Sequence, residues 1–331
     1  MKNRVIVFSL LLLASSLSPT SAATLNKLRM DRGYEDEIRI ASPILAAEGT
    51  AVIRIDPISS EYDRQTPMFY KLNASLLGNK PKHKLKATFT DSIDLGELLT
   101  EALRSEGSSM GLRIASGTGQ TEAVRVRGTL NDIELEYVAA WMWYFYCYMD
   151  VDIVVEELNG ETRTLRLKLH NYISVGRNSL ERSLARFLIQ SAQEIMALIN
   201  REVIHAPPSS FATQIVDTLG ANVRADQWNS LLLVALAGIR DAVPKLQELL
   251  TQEKDEEDRV HIANALAILS SSEDVGFLAR HYETEEDVDV RYNVAKALAY
   301  IGSEESLSVL RAKGSQDEEL AARRLASRYE E

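Results

Sequence analysis

Cysteine is nearly absent from the sequence, because Cys147 is the only one among 331 residues. No disulfide can form within such a chain, so the fold depends on its packed core alone. Cys147 lies in a strongly apolar stretch. We interpret it as a buried packing residue and not as a reactive thiol.

Motifs of catalysis and metal binding are also lacking. The sequence has no Walker lysine motif, no Gly-x-Ser-x-Gly elbow and no His-Glu-x-x-His pair. The Gly-x-Gly of Ser116–Thr121 precedes a predicted strand and so lacks the helix N-terminus of a phosphate site. The histidines fit no metal spacing; they are His83, His170, His205, His261 and His281. We expect no metal, no cofactor and no enzyme activity, with a cryptic catalytic site as the remaining alternative.

Basic residues are in deficit, and the formal net charge is −11. Nucleic acid is not an expected partner, because its phosphates require a basic face. The exception is Gly78–Lys86, which holds Lys80, Lys82, Lys84 and Lys86. This segment is interpreted as a solvated loop. The alternative is a surface that contacts anionic lipid headgroups or an acidic protein.

Long hydrophobic runs are missing, and the best one is short. Lys2 and Arg4 precede the apolar Val5–Leu13, and small residues follow at Thr20–Ala23. This order is typical of a signal peptide, and the run is too short to span a bilayer comfortably. We predict cleavage near Ala23 and export, in a bacterium to the periplasm. A permanent N-terminal anchor is the alternative.

The C-terminal third repeats itself. Leu236, Leu266 and Leu298 occupy equivalent positions about 30 residues apart, and alanines flank each of them. Each unit is predicted to be a helix, a short polar break and a second helix, which indicates a solenoid. The three units are Leu232–Leu250, His261–Tyr282 and Tyr292–Ala312.

These units resemble a known family. Asp287–Gly302 is similar to the first helix of a HEAT-like repeat of the short bacterial type, with Asp289, Arg291 and Gly302 in place. Arg259 holds the equivalent position in the preceding unit. The resemblance covers residues 226–331 and implies about three helical pairs with a charged terminal helix as a cap. It also implies a surface that binds a protein partner.

Some proteins of this fold are di-iron hydroxylases, which carry paired His-Glu dipeptides. Here His261 precedes Ile262 and His281 precedes Tyr282, so those dipeptides are absent. The resemblance therefore implies a binding solenoid and not an enzyme.

Acidic residues cluster before the predicted helix starts of the repeats. Residues 251–331 contain 19 Asp and Glu against 10 Lys and Arg, and much of the acid lies in Glu253–Asp258 and Glu283–Asp289. The carboxylates would complement helix N-termini and keep the loops soluble. A basic partner on these helix starts is the sharper alternative, whereas the glycine and ligand spacing of a calcium loop are missing. The candidate partner contacts in the repeats are Arg259, Asp287, Asp289 and Arg291.

The pattern of apolar residues in 48–205 predicts a β-sheet with two helices. Strands are predicted at Thr50–Ile58, Gly111–Ser116 and Ala123–Val138, the last with a bend at Gly128–Asp132, and a helix at Asp94–Gly107. We predict an α+β fold with a mixed α/β domain and an antiparallel sheet. The full division is a signal peptide (1–23), an extension (24–47), the sheet domain (48–205), a linker (206–225) and the repeats (226–331).

The clearest strand, Trp141–Val155, has apolar residues at every odd position. The next strand keeps the same parity, so the loop at Leu158–Gly160 needs three residues with Gly160 in the left-handed conformation. The predicted cross-strand pairs are Asp152–Arg166, Asp150–Lys168, Tyr148–His170 and Tyr146–Tyr172.

The even face of this hairpin forms a tyrosine face. Its members are Tyr144, Tyr146, Tyr148, Tyr172 and His170. If the chain itself covers this face, it is ordinary packing. If the face is open, it is a patch for a partner peptide or an amphiphile.

A long amphipathic helix at Asn178–Val203 closes the sheet domain. The order of strand, helix, antiparallel strands and long helix resembles the YajG-like and transporter-auxiliary lipoproteins of bacterial envelopes. That resemblance implies action in an envelope assembly without chemistry, although the lipid-bearing cysteine of those proteins is missing. The expected function is an exported, non-catalytic scaffold that binds an envelope protein through its repeats. The alternative is a periplasmic carrier of a lipid or another amphiphile.

Overall fold

The computed structural model describes most of the chain beyond the predicted signal peptide. The described residues are 23–25, 40, 42–46, 48, 50–61, 68–72, 83–89, 94–115, 123–139, 143–174, 180–219, 228–317 and 320–329. They combine two sheets with an array of helices, which confirms the α+β class.

Eight strands form the two sheets in the described residues. They are β1 (Ala23–Leu25), β2 (Val52–Ile55), β3 (Ser59–Ser60), β4 (Met68–Leu72), β5 (His83–Phe89), β6 (Ala123–Ala139), β7 (Trp143–Glu156) and β8 (Thr162–Ser174). The main sheet has the order β2-β6-β7-β8, with β3 also beside β6, and the smaller sheet has the order β1-β5-β4. The predicted antiparallel pairing holds along β6, β7 and β8, and the sheet as a whole is mixed because β2 and β3 run parallel to β6.

Two helices cover one face of the main sheet. Helix α1 (Leu95–Ser109) begins where the Asp94 side chain accepts the Glu97 N–H at 3.1 Å, and α2 (Leu180–Ile199) packs against it. Both match predicted helices. On the odd face of β7, which lies beneath them, the described side chains are buried; they are Cys147, Met149, Val151, Ile153 and Val155. The core is therefore on the face that the alternation of apolar residues predicts.

The predicted register of the β7–β8 hairpin is confirmed. Asp152 pairs with Arg166, Asp150 with Lys168, Tyr148 with His170 and Tyr146 with Tyr172. Gly160 has φ 83°, as the three-residue loop requires. The predicted bend in β6 is a bulge between Leu130 and Asp132, where the register to β7 shifts.

The Gly111–Ser116 segment is not a strand in its described part. The N–H of Ile53 donates to the Arg113 carbonyl, and the Ala115 N–H donates to the Ile53 carbonyl, both at 2.8 Å. These two bonds make a single bridge between Ile53 and Ile114. A longer ladder would need further exchanges on both sides of this pair.

The predicted linker contains a helix and contacts the predicted extension. Helix α3 (Ser210–Thr218) starts at Ser209, whose hydroxyl accepts the Ala212 N–H and donates to the Pro43 carbonyl. Ile44 and Leu45 of the extension are buried in the core. Both segments are packed parts of the fold, because burying two large aliphatic side chains favours order.

The repeats form three helical pairs and a terminal helix. They are α4 (Trp228–Leu236) with α5 (Val243–Gln252), α6 (Glu256–Leu269) with α7 (Val275–Thr284), α8 (Val288–Ile301) with α9 (Glu304–Val309), and α10 (Leu320–Ser327). The first helices of successive pairs pack side by side, and Gly302 ends α8 with φ 63°. This arrangement confirms the predicted pattern of helix, break and helix.

None of the helices in the described ranges is both long and apolar enough to cross a membrane.

Candidate interaction surfaces

The tyrosine face of the hairpin lies beneath the solenoid. Tyr146 and His170 are 0% exposed and Tyr148 is 3% exposed. The ring of Tyr292, from α8, meets the Tyr146 ring edge-on at 6.3 Å between centroids. The candidate partner role of Tyr146, Tyr148 and His170 is therefore wrong for this fold, because their own chain covers them. The side chains of Tyr144 and Tyr172 lie outside the described residues.

His170 is held between the sheet and the helices. Its Nδ1 is 2.8 Å from the Tyr146 hydroxyl, and its Nε2 is 3.2 Å from the Tyr329 hydroxyl. Burial, and then the nearby charge of Lys296, hold the pKa of His170 well below its usual range. The imidazole is therefore neutral, with one ring nitrogen that donates and one that accepts.

A buried cation joins the same two parts of the chain. Lys296, on α8, is 1% exposed, and its Nζ donates to Glu194 Oε1 at 2.9 Å and to Asn171 Oδ1 at 3.0 Å. The Tyr300 hydroxyl donates to the other oxygen of Glu194 at 2.6 Å. The pair therefore lies in a hydrogen-bond network that compensates its loss of solvent. Sequence reasoning missed it, although a lone lysine within the alanine-rich stripe of a helix was a visible signal.

The C-terminal residues complete the cover over the sheet. The Arg328 guanidinium lies 4.1 Å from the centre of the Tyr148 ring and hydrogen-bonds Glu134 of β6. The Arg328 carbonyl accepts a hydrogen bond from Lys168 Nζ at 2.8 Å. The end of the chain is therefore fastened to the outer face of the hairpin, beyond its predicted role as a solenoid cap.

The acidic helix starts have clear structural roles. Asp255 and Asp287 are the N-caps of α6 and α8, and Asp287 accepts the backbone N–H groups of Asp289 and Val290 at 3.0 and 2.9 Å. These bonds support the predicted use of carboxylates at helix N-termini. Asp287 remains half-exposed, as does Asp289.

The two repeat arginines bind neighbouring turns of the solenoid. Arg259 donates to both carboxylate oxygens of Glu285 at 3.0 Å, and Arg291 meets both oxygens of Asp317 at 3.1 Å. Burial acts to raise the pKa of Glu285, but the hydrogen bond from His281 and the charge of Arg259 lower it overall. Arg259 and Arg291 are thus engaged within the chain. Their role as partner contacts stays a prediction.

Exposed carboxylates remain on the edge of the solenoid where the first helices begin. We call Asp255, Glu256, Glu257, Glu283 and Glu286 the acidic ridge. Only Glu283 among them makes an ion pair within the described residues, at 3.2 Å to Lys313. The ridge therefore presents uncompensated negative charge to solvent.

The lysine-rich segment is only partly described. The backbones of Lys84 and Lys86 lie in β5, whereas Lys80 and Lys82 lie outside the described residues. Contact with anionic headgroups stays a prediction.

A cleft of about 670 Å³ opens where β8, the end of α2 and the solenoid meet. Its floor carries charges of both signs from β7 and β8, and its walls combine aliphatic side chains with charged residues and two tyrosines. The volume is within the usual range of ligand pockets, roughly 300–1,000 Å³. No group of three or more metal-ligating side chains occurs in it or elsewhere in the described part of the chain.

Comparison with known families matches residues 243–329 to HEAT repeats. The match begins at α5 and leaves out α4. No curated protein matches the sequence.

Several solved structures resemble parts of the chain at low identity. One is described only as an uncharacterized protein, with 11% identity, a TM-score of 0.34, and coverage of 55% of this chain and 99% of that one. A Xanthomonas campestris protein of the DUF330 family has 11% identity, a TM-score of 0.30, and coverage of 54% and 90%. A minor lipoprotein from Acinetobacter baumannii has 9% identity, a TM-score of 0.26, and coverage of 49% and 97%. TM-scores this low support no conclusion about location or activity. The similarity that stands is that of residues 243–329 to HEAT repeats.

Proposed function

We propose that this protein is an exported, non-catalytic adaptor of the bacterial envelope whose HEAT-like repeats bind a protein partner. The partner would present a basic surface to the acidic ridge. The proposal of export depends on the signal-peptide pattern of the first 23 residues.

The observation that carries this proposal is the uncompensated charge of the acidic ridge. The arginines nearest to it, Arg259 and Arg291, are bound to Glu285 and Asp317 and cannot neutralise it. Helix capping accounts for Asp255 but leaves Glu256, Glu257 and Glu286 without an ion pair in the described residues.

The arrangement of the solenoid supports the same choice of surface. Its first helices face the sheet domain, where Lys296 of α8 reaches Glu194 of α2. The second helices and the edge with the acidic ridge are left for a partner. Charges on the rim of an interface accelerate encounter and select the partner, more than they add affinity. Binding should therefore weaken as salt rises.

The alternative function, carriage of an amphiphile on the tyrosine face, would need an exposed aromatic surface on the hairpin. Tyr146 and Tyr148 lie beneath the solenoid and offer no open aromatic surface. An adaptor is accordingly the function that the geometry favours.

The first test is site-specific photocrosslinking in the envelope fraction. A photoreactive amino acid replaces Glu286 in the acidic ridge or, as a control, Glu305 at the opposite end of α8. Both positions are exposed carboxylates, and the helix between them is about 20 Å long. We expect one or a few proteins to be crosslinked at Glu286 and not at Glu305.

Charge reversal then tests the chemistry with the purified partner. The Glu256→Lys, Glu257→Lys, Glu286→Lys variant should bind at least about tenfold more weakly at low salt. The matched variant Glu273→Lys, Glu304→Lys, Glu305→Lys, on the opposite edge, should bind normally. Equal loss in both variants, or identical crosslinks at both positions, would refute the acidic ridge as the docking surface.

A further inference from the structure

Strand β8 is an edge of the main sheet. It pairs with β7 along its whole length, and no strand lies on its other side among the described residues. Edge strands carry unpaired N–H and C=O groups, which natural proteins usually cover or blunt. Here the outer side of β8 faces the cleft between the sheet and the solenoid.

The hairpin loop determines which backbone groups of β8 point outward. The Glu157 N–H donates to the Glu161 carbonyl at 2.8 Å, so this odd-numbered pair is hydrogen-bonded. Bonded and non-bonded pairs alternate in an antiparallel ladder. Odd residues of β8 therefore bond to β7, whereas even residues direct both their N–H and their C=O away from the sheet.

Contacts at one end of the edge agree with this assignment. The His170 N–H donates to the Tyr300 hydroxyl at 3.1 Å, and the His170 carbonyl oxygen lies 3.4 Å from the same hydroxyl. No such contact covers the backbone of Thr164, Arg166 or Lys168 among the described residues. These three residues leave a row of free donors and acceptors along the cleft.

The cleft beside β8 is bounded by the solenoid and by the end of α2. Ile268, Ile301 and Leu307 of the solenoid form the wall opposite β8, and Leu198 of α2 lies beside it. The Tyr300 hydroxyl of the solenoid accepts a hydrogen bond from the His170 N–H of β8, so the solenoid and the sheet are in direct contact at that end of the cleft. Its volume of about 670 Å³ can take a single extended segment but not a folded second copy of the sheet domain.

We propose that the free edge of β8 binds an extended segment of a partner protein, which adds to the sheet as a further strand. The segment would alternate acidic and apolar residues. Its main chain would bond to Thr164, Arg166 and Lys168, as in other cases of strand addition.

The side chains of β8 select this alternation. Arg166 is exposed and makes no ion pair with any described residue, whereas Lys168, two positions further on the same face, already donates to the Arg328 carbonyl at 2.8 Å. Leu165 and Leu167 are half-buried on the other face. Side chains directly opposite on neighbouring strands interact most strongly, so acidic groups suit the first face and apolar groups the second.

The acidic residues near the cleft do not cancel this preference. Asp150 and Asp152 lie on β7, one strand further from the new segment than the cations of β8. Glu194 is already paired with Lys296, and Glu202 with Arg201. Arg166 is therefore the cation of this edge that has no ion pair in the described residues, and it lies nearer to the new segment than Asp152 opposite it on β7.

This inference goes beyond the proposed function, because it concerns a different surface from the acidic ridge. An adaptor that uses both surfaces would join a basic protein to an acidic segment of a second one. Failure at either surface leaves the other proposal standing.

The test uses the full mature chain and short fluorescein-labelled peptides that alternate glutamate and valine. Anisotropy measures binding, and amide hydrogen exchange by NMR locates it. We expect Arg166 and Lys168 amides to exchange rapidly without peptide and to become protected with it. Leu165 and Leu167 amides bond to β7 and should be protected in both states.

Two controls separate main-chain pairing from charge. A peptide with N-methyl groups on the bonding face should bind at least about a hundredfold more weakly, because it cannot donate to the edge. The Arg166→Glu variant should bind about tenfold more weakly. Arg127→Glu, the same exposed charge change on β6, should bind normally.

Three results would overturn the proposal. The first is protection of the Arg166 and Lys168 amides without peptide, which would show that the chain fills its own edge. The second is equal binding of the N-methylated peptide, and the third is no binding at millimolar peptide. Tighter binding of a lysine–valine peptide would overturn the charge assignment. The N-methyl comparison uses the wild-type protein, so it stands even if a variant fails to fold.

Discussion

At the scale of single residues, we expect substitution of Lys296 to destabilise the protein strongly. It is almost fully buried and bonded to Glu194, Asn171 and, at 3.4 Å, Asn264. Removing one member of a buried ion pair strands the other charge at a cost of about 3–5 kcal/mol. We expect Lys296→Met to lower the free energy of unfolding by that amount in urea titrations.

A second variant tests whether the loss comes from the stranded charge. Lys296→Met with Glu194→Gln should recover part of the stability, since no charge is then left uncompensated and Gln can still accept from Tyr300. If the double variant is less stable than the sum of the single effects, the network does not act as a pair.

Because the imidazole of His170 is buried and neutral, we expect the folded protein to lose stability as the pH falls. Its folded pKa lies below the ordinary value of about 6.5, so the unfolded chain takes up the proton first as pH falls. The stability from neutral His170 is complete above about pH 6.5 and declines below it, by up to about 1.4 kcal/mol per pH unit. His261, whose pKa burial lowers to about 4, acts in the same direction.

The measurement is the free energy of unfolding from pH 7 to 5. His170→Gln keeps a hydrogen-bonding side chain that does not titrate. The free energy of unfolding of this variant should therefore change less steeply with pH, by the amount that corresponds to about one fewer proton taken up on unfolding. The groups around the ring are the hydroxyls of Tyr146, Tyr148, Tyr300 and Tyr329 and the cations Lys168, Lys296 and Arg328. An unchanged slope would mean that His170 is not held neutral.

At the scale of elements, the pairs between an arginine and a carboxylate connect successive repeats. Arg291 bonds to Asp317 and to the carbonyls of Glu285 and Glu286, so it ties α8 to the turns on both sides. Solenoid stability is roughly a sum of repeat and neighbour terms, so losing one tie weakens the whole array.

We expect Arg291→Ala to destabilise the protein by about 3 kcal/mol, because the buried Asp317 carboxylate would lose both of its hydrogen bonds from the Arg291 guanidinium. Arg280→Ala, at an exposed position of α7, should change stability by less than about 0.5 kcal/mol. Thermal and urea unfolding of both variants measure the difference. If both variants change the free energy of unfolding by the same small amount, the Arg291–Asp317 pair contributes little to stability.

At the scale of the whole molecule, the sheet and the solenoid share a core. Tyr146 of the sheet and Tyr292 of the solenoid are buried against each other, and Lys296 crosses the same junction. Cutting the chain at the predicted linker would expose these groups on both sides. The two parts are therefore expected to fold as one unit.

The test is expression of residues 206–331 alone, compared with the full chain by circular dichroism and gel filtration. The fragment should aggregate or melt without a sharp transition, because burying Lys296 and Tyr292 requires the sheet. A monomeric fragment with native helicity and a cooperative melt would contradict a shared core.

Local features of this protein were accessible from its sequence. Alternation and the Gly160 loop set the β7–β8 register, since a shift of one residue would turn the apolar face outward. The 30-residue spacing of Leu236, Leu266 and Leu298 was enough for the helical pairs. The Gly111–Ser116 segment was misassigned because a single bridge leaves no periodic signal.

Contacts between distant segments were decided only by the tertiary structure. No local sequence pattern indicates that α8 lies on the even face of β7 and β8. The sequence is therefore compatible with a tyrosine face that is exposed and with one that the chain covers. Lys296 and Glu194 are 102 positions apart, and the free edge of β8 depends on which strands do not pair with it. Periodicity records how a segment meets its immediate neighbours, whereas the docking of the solenoid depends on side chains that only the folded chain brings together.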